Sequence, residues 1–254
     1  MTDIRAMARE RRHTLYFLGE IRGISPVFLD TEVDMTGVRA HRQAAREAGT
    51  RLSTVTYVLR AAGRALAKHP EANAAVRGRW RRRVARYGRV NGKVTFDKTF
   101  NGHRVVASTV LPDVDRAELG ELQEQIGRIR DGDPAELPEF AGIRLLHRLP
   151  QPLAAAAFRA RTRPLAGRDL VLGTFAVTSL GHRPVDGFHS VGGTTVTFGV
   201  GRTLERPVVR DGAVTVAPVL RLNLAFDHRV IDGAEAADLL ADVRDELESV
   251  RPAP

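Results

Sequence analysis

The sequence of 254 residues contains no cysteine, which excludes disulfide bonds, thiolate nucleophiles and zinc sites with cysteine ligands. Its first twelve residues are polar and lead into no long apolar run. Neither a secretory signal nor a transmembrane helix is therefore expected, and the expected compartment is the cytoplasm. Hydrophobic residues make up 43% of the chain, which is enough for a core of its own and excludes a disordered tail.

Lysine is also scarce, because the 39 basic residues include only three lysines and therefore 36 arginines. Residues 77–89 contain seven of these arginines, together with Trp80 and Tyr87, and no acidic residue. Such a stripe is compatible with nucleic-acid binding. No helix-turn-helix, zinc or RNA-binding signature accompanies it, so we expect no nucleic-acid partner. The stripe is interpreted as a solvated face or as one that attracts an anionic ligand.

Metal and nucleotide motifs are missing as well. No two of the eight histidines have a metal-ligand spacing, and no GxxxxGK[ST] phosphate loop is present. We therefore predict no metal site.

Periodicity and turn residues divide the chain into a polar arm or short helix over residues 1–24 and one domain over residues 25–254. The predicted helices span residues 38–48, 53–68 (capped by Ser53), 115–130 and 233–250. The predicted strands span residues 25–35, 170–178, 194–200, 207–210, 213–217 and 220–226, and a turn at Asp211-Gly212 joins the fourth to the fifth. A meander is predicted over residues 86–111, with turns at Asn91-Gly92 and Asn101-Gly102. Prolines interrupt residues 133–170, where no single regular element fits. Helices and antiparallel hairpins in one unbroken domain indicate an α+β two-layer sandwich.

The most informative segment is LRLNLAFDHRVIDGAEAADLL, a predicted strand that delivers His228 to a turn and then a helix. A purely structural interpretation exists, because Asp232 and Glu235 have the spacing of a capping box and Gly233 permits the turn. A histidine at the end of a strand is, taken alone, more often incidental than catalytic.

The longer string FDHRVIDGAEAA resembles the signature of the acyltransferase catalytic domain of 2-oxo acid dehydrogenase complexes. These dihydrolipoyl acyltransferases are related to chloramphenicol acetyltransferase. The resemblance extends to SPVFLDTEVDMTGVRAHR, LSTVTYVLRAAGRALAKHPEANA, LGTFAVTSLG and LERPVVRDGAVTVAPVLRLNLAFDHRVIDG, and it covers about residues 20–132 and 170–250. It implies a chloramphenicol acetyltransferase-like, trimeric fold with an insertion near residues 133–170.

The resemblance also implies roles for three residues. His228 corresponds to the general base, which takes a proton from a hydroxyl or thiol so that the acceptor attacks a thioester directly, without an acyl-enzyme. Thr178 corresponds to the oxyanion donor, and Ser179 beside it is the weaker candidate. Asp232 corresponds to an aspartate that forms an ion pair with an arginine, whose identity the sequence leaves open.

A second pattern, His182-Arg183-Pro184-Val185-Asp186-Gly187, imitates HxxxDG. It follows the Thr178 segment, where the family has a loop. We interpret it as coincidence or as the wall of a pocket, which His189 would also line.

Length predicts the assembly. Longer relatives with the same motif resemble two copies of this fold with the site between them, and only one copy fits in this chain. A single copy must therefore share its site with a neighbouring chain, and the resemblance implies a homotrimer, or a multiple of it, in which His228 of one subunit faces Thr178 of the next.

Two departures from the family bear on function, namely the absence of a lipoyl domain before residue 20 and the insertion at residues 133–170. Both favour a free-standing acyltransferase that moves a short acyl group, expected to be acetyl, from acyl-CoA to a hydroxyl or thiol of a small molecule, with no permanently bound cofactor. Two alternatives remain: a dehydrogenase core subunit that uses a lipoyl domain in trans, and a non-catalytic trimeric scaffold.

Residues 142–168 leave three interpretations, of which we favour a lid over the acceptor channel. The others are an interfacial membrane anchor and a plain surface excursion. The apolar run at residues 153–158 is too short to span a bilayer, so a membrane partner is not expected.

Overall fold

A computed structural model of the chain describes residues 1–78 and 80–251. Arg79, one of the arginines of the basic stripe, and residues 252–254 at the end of the predicted domain lie outside the described residues. The helices are α1 (Arg12–Ile21), α2 (Thr36–Glu47), α3 (Thr54–Lys68), α4 (Leu119–Asp131), α5 (Ala141–Arg148), α6 (Gln151–Thr162), α7 (Arg168–Leu172) and α8 (Gly233–Glu248). The strands are β1 (Pro26–Asp34), β2 (Ala74–Arg77), β3 (Arg83–Arg86), β4 (Gly92–Phe100), β5 (His103–Leu111), β6 (Phe175–Ser179), β7 (Val196–Arg210) and β8 (Ala213–Asp227).

The core of the fold is a mixed six-stranded sheet in the order β1-β8-β7-β6-β4-β5. Strand β6 runs parallel to both of its neighbours, whereas the other pairs are antiparallel. A separate two-stranded sheet of β2 and β3 carries part of the basic stripe. The prediction of an α+β fold is confirmed.

The two faces of the large sheet differ in composition because side chains alternate along each strand. One register row crosses five strands with apolar side chains that lie in the core or pack against it: Leu29, Leu224, Phe198, Val177 and Val94. Helices α3 and α8 cover this face with leucines such as Leu59 and Leu239. This layer of helices on a sheet is the predicted sandwich.

The opposite face is polar and is covered by α1 and by the loop that joins β6 to β7. In α1, the ring of Phe17 lies 4.8 Å from Lys93 Nζ on β4. Glycines let the loop approach β7, because a Cβ atom at Gly199 or Gly201 would overlap a carbonyl oxygen of the loop. The predicted arm therefore contains a helix that packs on the domain, while its boundary at residue 24 stays a prediction.

The proline-interrupted residues 133–170 fold into α5, α6 and the start of α7, with Pro150 and Pro164 between the helices. The buried side chain of His147 on α5 lies 3.0 Å from His13 on α1, Nε2 to Nδ1. No helix among the described residues combines the length and apolar character needed to cross a bilayer. The lid remains a prediction, since the structure shows one arrangement of these helices.

Several local predictions are confirmed. Ser53 caps α3 by accepting a hydrogen bond from the backbone of Thr56. Asn101 and Gly102 turn β4 into β5, and Asp211 and Gly212 turn β7 into β8, with positive φ angles at all four residues. Left-handed backbone is what these residue pairs tolerate best.

The hairpin predicted at Asn91-Gly92 is wrong. Asn91 is fully buried, its backbone exchanges hydrogen bonds with Thr174, and its side-chain oxygen accepts from the backbone of Asp113. Gly92 begins β4 at a point where a Cβ would overlap the side chain of Leu59. The pair therefore forms buried contacts with Thr174, Asp113 and Leu59 and does not form the turn of a hairpin.

Other boundaries differ too. Residues 168–172 form α7 instead of a strand, and the two short strands predicted on each side of Asp211-Gly212 are continuous as β7 and β8. A register irregularity between Val200 and Thr203 interrupts the apolar alternation of β7, which explains why the sequence suggested a break there. Helix α4 begins at Leu119 instead of residue 115, because Glu118 caps it in a reciprocal box with Glu121.

Candidate active site

The turn after β8 presents the imidazole of His228 to solvent. Its backbone N–H donates to the carbonyl of Ser25 at 2.9 Å, which ties the turn to the start of β1. The preceding Asp227 is buried, and its carboxylate accepts from Arg229 Nε at 2.8 Å. These contacts fix the backbone on both sides of His228, whose side chain remains 47% exposed.

Asp232 is the residue that contacts this imidazole, because its Oδ1 lies 3.2 Å from His228 Nδ1. The resemblance implied an arginine partner for Asp232, and that pairing stays a prediction; among the described residues of one chain, its carboxylate contacts His228. The predicted capping box is wrong: Asp232 occupies the N-cap position of α8 without a side-chain cap bond, and Glu235 contacts His69 at 2.8 Å. The Asp232 carboxylate faces the imidazole of His228 and does not cap the first turn of α8.

Thr178 lies on β6, on the polar face of the large sheet. Its hydroxyl accepts a hydrogen bond from the Thr95 hydroxyl at 2.9 Å, which leaves the Thr178 proton available to a further acceptor. The hydroxyl of Ser179 accepts from the backbone of Gly181 at 3.3 Å. Side chains alternate along β6, so Ser179 lies on the opposite side of the strand, and Thr178 is the hydroxyl that belongs to the polar face.

Thr178 and His228 do not meet within one chain. Thr178 shares a register row with Gly199 and Asn223, and His228 lies five residues beyond Asn223 along the chain. At about 3.3 Å per residue and about 4.8 Å per strand, this separates the two by about 17 Å along the strands and about 10 Å across them. A site that uses both residues therefore requires a second copy of the chain.

The imitation motif forms part of a pocket wall. Asp186 pairs with Arg202 at 2.7 Å and not, among the described residues, with His182. Asp186 and His189 line a cavity of 480 Å³ together with Asn223. This agrees with the pocket-wall interpretation.

A second cavity, of 510 Å³, adjoins the His228 turn and is strongly cationic. Its described lining includes five arginines and one carboxylate: Arg77, Arg82, Arg163, Arg168, Arg229 and Glu20. Arg229 follows His228 directly, and Ile24, which also lines the cavity, precedes the Ser25 carbonyl that binds the turn. We name this cavity the arginine pocket.

Sequence reasoning found only part of the arginine pocket. The basic stripe at residues 77–89 supplies Arg77 and Arg82, whereas the other arginines come from the insertion and from the turn after His228. Nothing in the local sequence connects these distant segments. The arginine content itself was the only available signal.

Within residues 1–78 and 80–251, no group of three or more His, Asp or Glu side chains is arranged to hold a metal ion. The arrangement places an exposed imidazole, a group that can transfer protons, next to a cationic pocket.

Comparison with known proteins gives relatives and a fold. The chain is 29% identical over 224 residues to the dihydrolipoyllysine-residue acetyltransferase component of the pyruvate dehydrogenase complex of Bacillus subtilis, which covers 86% of this chain and 43% of that protein. The chain thus spans less than half the length of this curated relative. The structure is similar to the cubic core of the pyruvate dehydrogenase multienzyme complex, with a TM-score of 0.74 and 21% identity over 98% of this chain and 93% of that one. It is also similar to chloramphenicol acetyltransferase, with a TM-score of 0.51 and 19% identity over 97% of this chain and 98% of that one.

The matched family is described as 2-oxoacid dehydrogenases acyltransferase (catalytic domain), and its model matches residues 6–131 and 145–253. The unmatched residues 132–144 lie at the start of the predicted insertion. The matched ranges make up most of the chain and include His228, Asp232 and Thr178. The chain therefore belongs to the family of 2-oxoacid dehydrogenase acyltransferase catalytic domains.

Proposed function

We propose that the chain is an acyltransferase that moves an acetyl or other short acyl group between coenzyme A and a thiol or hydroxyl acceptor, with His228 as the general base. The observation that carries this proposal is the exposed imidazole of His228, with Asp232 at its Nδ1 and the arginine pocket beside it. Membership of the acyltransferase family supports it.

Each side chain has a defined step in this mechanism. Asp232 favours the tautomer with a proton on Nδ1, which leaves Nε2 of His228 free to accept a proton from the acceptor. The acceptor oxygen or sulfur attacks the thioester carbonyl, and the carbonyl oxygen becomes an oxyanion. When this intermediate collapses, the C–S bond to coenzyme A breaks and the imidazolium returns its proton to the leaving thiolate.

The oxyanion receives a hydrogen bond from Thr178 of a neighbouring subunit. The separation of Thr178 from His228 within one chain supports this arrangement, because neither side chain reaches the other. A ring of three subunits, each with one His228 end and one Thr178 face, closes with three equivalent sites.

The donor is proposed to be an acyl-CoA. Its phosphates are anionic, guanidinium groups bind phosphate through paired hydrogen bonds, and five arginines line the cavity beside His228. We expect acetyl-CoA to bind in the micromolar range, with an affinity that falls as salt screens these contacts. Isothermal titration at low and high ionic strength measures this, and an absence of binding at low salt would exclude acyl-CoA as donor.

Two acceptors are in question. The proposal favours a hydroxyl or thiol of a small molecule, whereas a dihydrolipoyl group on another polypeptide is supported by the name of the Bacillus subtilis relative. Rates with small thiols and alcohols, with free dihydrolipoamide and with a separately expressed lipoyl domain separate them. Free dihydrolipoamide is expected to be a poor acceptor. A lipoyl domain that is acylated far faster than every small molecule would establish the second acceptor.

Asp232→Asn is expected to lower kcat/KM by about tenfold or more with little change in thermal stability, because the amide removes the charge that favours the productive tautomer. A side-chain cap at Asp232 would add a loss of stability to the loss of activity. The structure changes that expectation, since Asp232 is 88% exposed and makes no cap bond. Steady-state kinetics and melting temperature are the measurements. A lower melting temperature with unchanged kinetics would restrict Asp232 to a structural role.

A further inference from the structure

The arginine pocket contains more positive than negative charge. Arg229 is paired with Asp227, and Arg77 and Arg163 are both paired with Glu20. Neither Arg82 nor Arg168 has a carboxylate partner among the described residues. Glu20 is the one carboxylate of the described lining, Asp227 pairs with Arg229 from outside it, and five guanidinium groups therefore leave the pocket with a net positive charge in the folded chain.

Arg168 holds its charge in a partly buried position. Its guanidinium donates to the backbone carbonyls of Thr162 and Gly193, the latter at 2.9 Å. Burial, followed by the positive charge of Arg77, lowers the pKa of Arg168 to about 10, so that it remains protonated at neutral pH. The cation is fixed in place by carbonyl groups, which leaves its charge unneutralised.

Glu20 lies in the middle of the cluster, in the last turn of α1. Its Oε2 accepts from Arg77 Nη2 at 2.7 Å, and its Oε1 lies 3.0 Å from Arg163 Nη2. Its side chain is only 7% exposed. Burial alone would raise the pKa of Glu20, but hydrogen bonds from Arg77 and Arg163 outweigh it and lower the pKa, so the carboxylate is ionised.

This carboxylate has the chemical features of a ligand phosphate, because it is an oxyanion held by two guanidinium groups inside a cavity. It carries one charge, whereas a phosphorylated ligand brings several and offers more acceptor oxygens. Glu20 also lies near the end of α1. The chain continues from there through Gly23 and Ile24 to Ser25, whose carbonyl accepts the backbone hydrogen bond of His228.

We propose that Glu20 is a resident counter-anion of the arginine pocket, and that a ligand with two or more phosphate groups binds by taking over the guanidinium groups that Glu20 holds. Glu20 therefore sets the threshold for binding, so that a single weak anion does not replace it and a polyphosphorylated one does. The inference rests on the proposed function where it identifies that ligand as acyl-CoA. It does not depend on the acyl-transfer step.

The test compares Glu20→Gln with the wild-type chain by isothermal titration, using coenzyme A and inorganic pyrophosphate as probes. Removing the competing charge is expected to tighten binding of both probes by about tenfold, because ligand phosphates then meet guanidinium groups that no carboxylate neutralises. Unchanged or weaker binding of both probes would overturn the proposal and leave Glu20 as a structural ion pair.

Glu139→Gln is the matched control. Glu139 is also paired with an arginine, Arg128, and is 18% exposed, but it lies outside the pocket. Its replacement is expected to leave both affinities unchanged.

A second variant covers the case in which Glu20→Gln does not fold. Arg163 is 56% exposed, so Arg163→Gln removes a guanidinium without opening the core. It is expected to weaken pyrophosphate binding several-fold, and unchanged binding would equally overturn the proposal. The same titrations on His228→Ala protein distinguish failure of this proposal from failure of the proposed function, because that variant retains the pocket and lacks the proposed base.

Discussion

Replacing His228 with alanine is expected to reduce acyl transfer by about a thousandfold or more while the protein remains folded. The side chain is half exposed, so its removal creates no cavity in the core. The backbone hydrogen bond to Ser25 does not involve the imidazole and remains. Asp232 loses its contact but is itself exposed, so no buried charge is left unpaired. Steady-state kinetics with acetyl-CoA and the thermal unfolding curve are the two measurements.

His182→Ala is the matched control for this result. His182 opens the imitation motif, yet its partner at the corresponding spacing, Asp186, is paired with Arg202. The substitution is expected to leave transfer within about twofold of the wild-type rate, as for a surface change away from the reacting groups. Retention of activity in His228→Ala, or an equal loss in both variants, would contradict the assignment of the base.

The sequence predicted the fold where a local signal and the tertiary contacts agree. The exposed pair Asn101-Gly102 turns a hairpin, whereas Asn91-Gly92 has the same residues, is buried and makes no turn. There, buried hydrogen bonds to Thr174 and Asp113 decide the conformation. The contact with Thr174 spans 83 residues of the chain and the contact with Asp113 spans 22, so neither leaves a trace in a dipeptide.

In the candidate site, too, the sequence revealed what is local in the chain and missed what distant segments form together. The turn from His228 to Asp232 is continuous in the chain, so a motif reveals it, and the structure adds that the carboxylate faces the imidazole instead of capping α8. The arginine pocket is assembled from four separate stretches of the chain, with Glu20 and Arg163 separated by 143 residues. Pairs of this kind depend on how α1 and the insertion pack together, and a single sequence does not encode that in any local pattern.

Replacing Thr178 with valine is expected to lower kcat by about a hundredfold, the usual effect of losing one oxyanion donor. Valine keeps the branched shape that suits β6 and removes only the hydroxyl, so the fold is expected to persist. Thr178→Ser is the matched control, because it retains a hydroxyl and should retain most of the activity. A lower melting temperature with an unchanged kcat would indicate that the contact of Thr178 with Thr95 is structural.

Mixing His228→Ala with Thr178→Val subunits tests whether the two residues come from different chains. Each variant is defective alone, but a site with His228 from one subunit and Thr178 from its neighbour is intact whenever the two variants meet in the right order. Random assembly of a closed ring from equal amounts makes about a quarter of the sites intact, so activity is expected to rise to about that fraction of wild type.

The solution mass decides how that result is interpreted. Because Thr178 and His228 lie on separate parts of the sheet, the active particle is expected to have three times the chain mass of 27.8 kDa, or a multiple of that trimer. Subunits must be mixed under conditions that allow exchange, and wild-type protein diluted with either variant alone provides the baseline. A fully active monomer, or a mixture that never exceeds the two variants measured separately despite exchange, would place both residues in one chain and contradict the shared site.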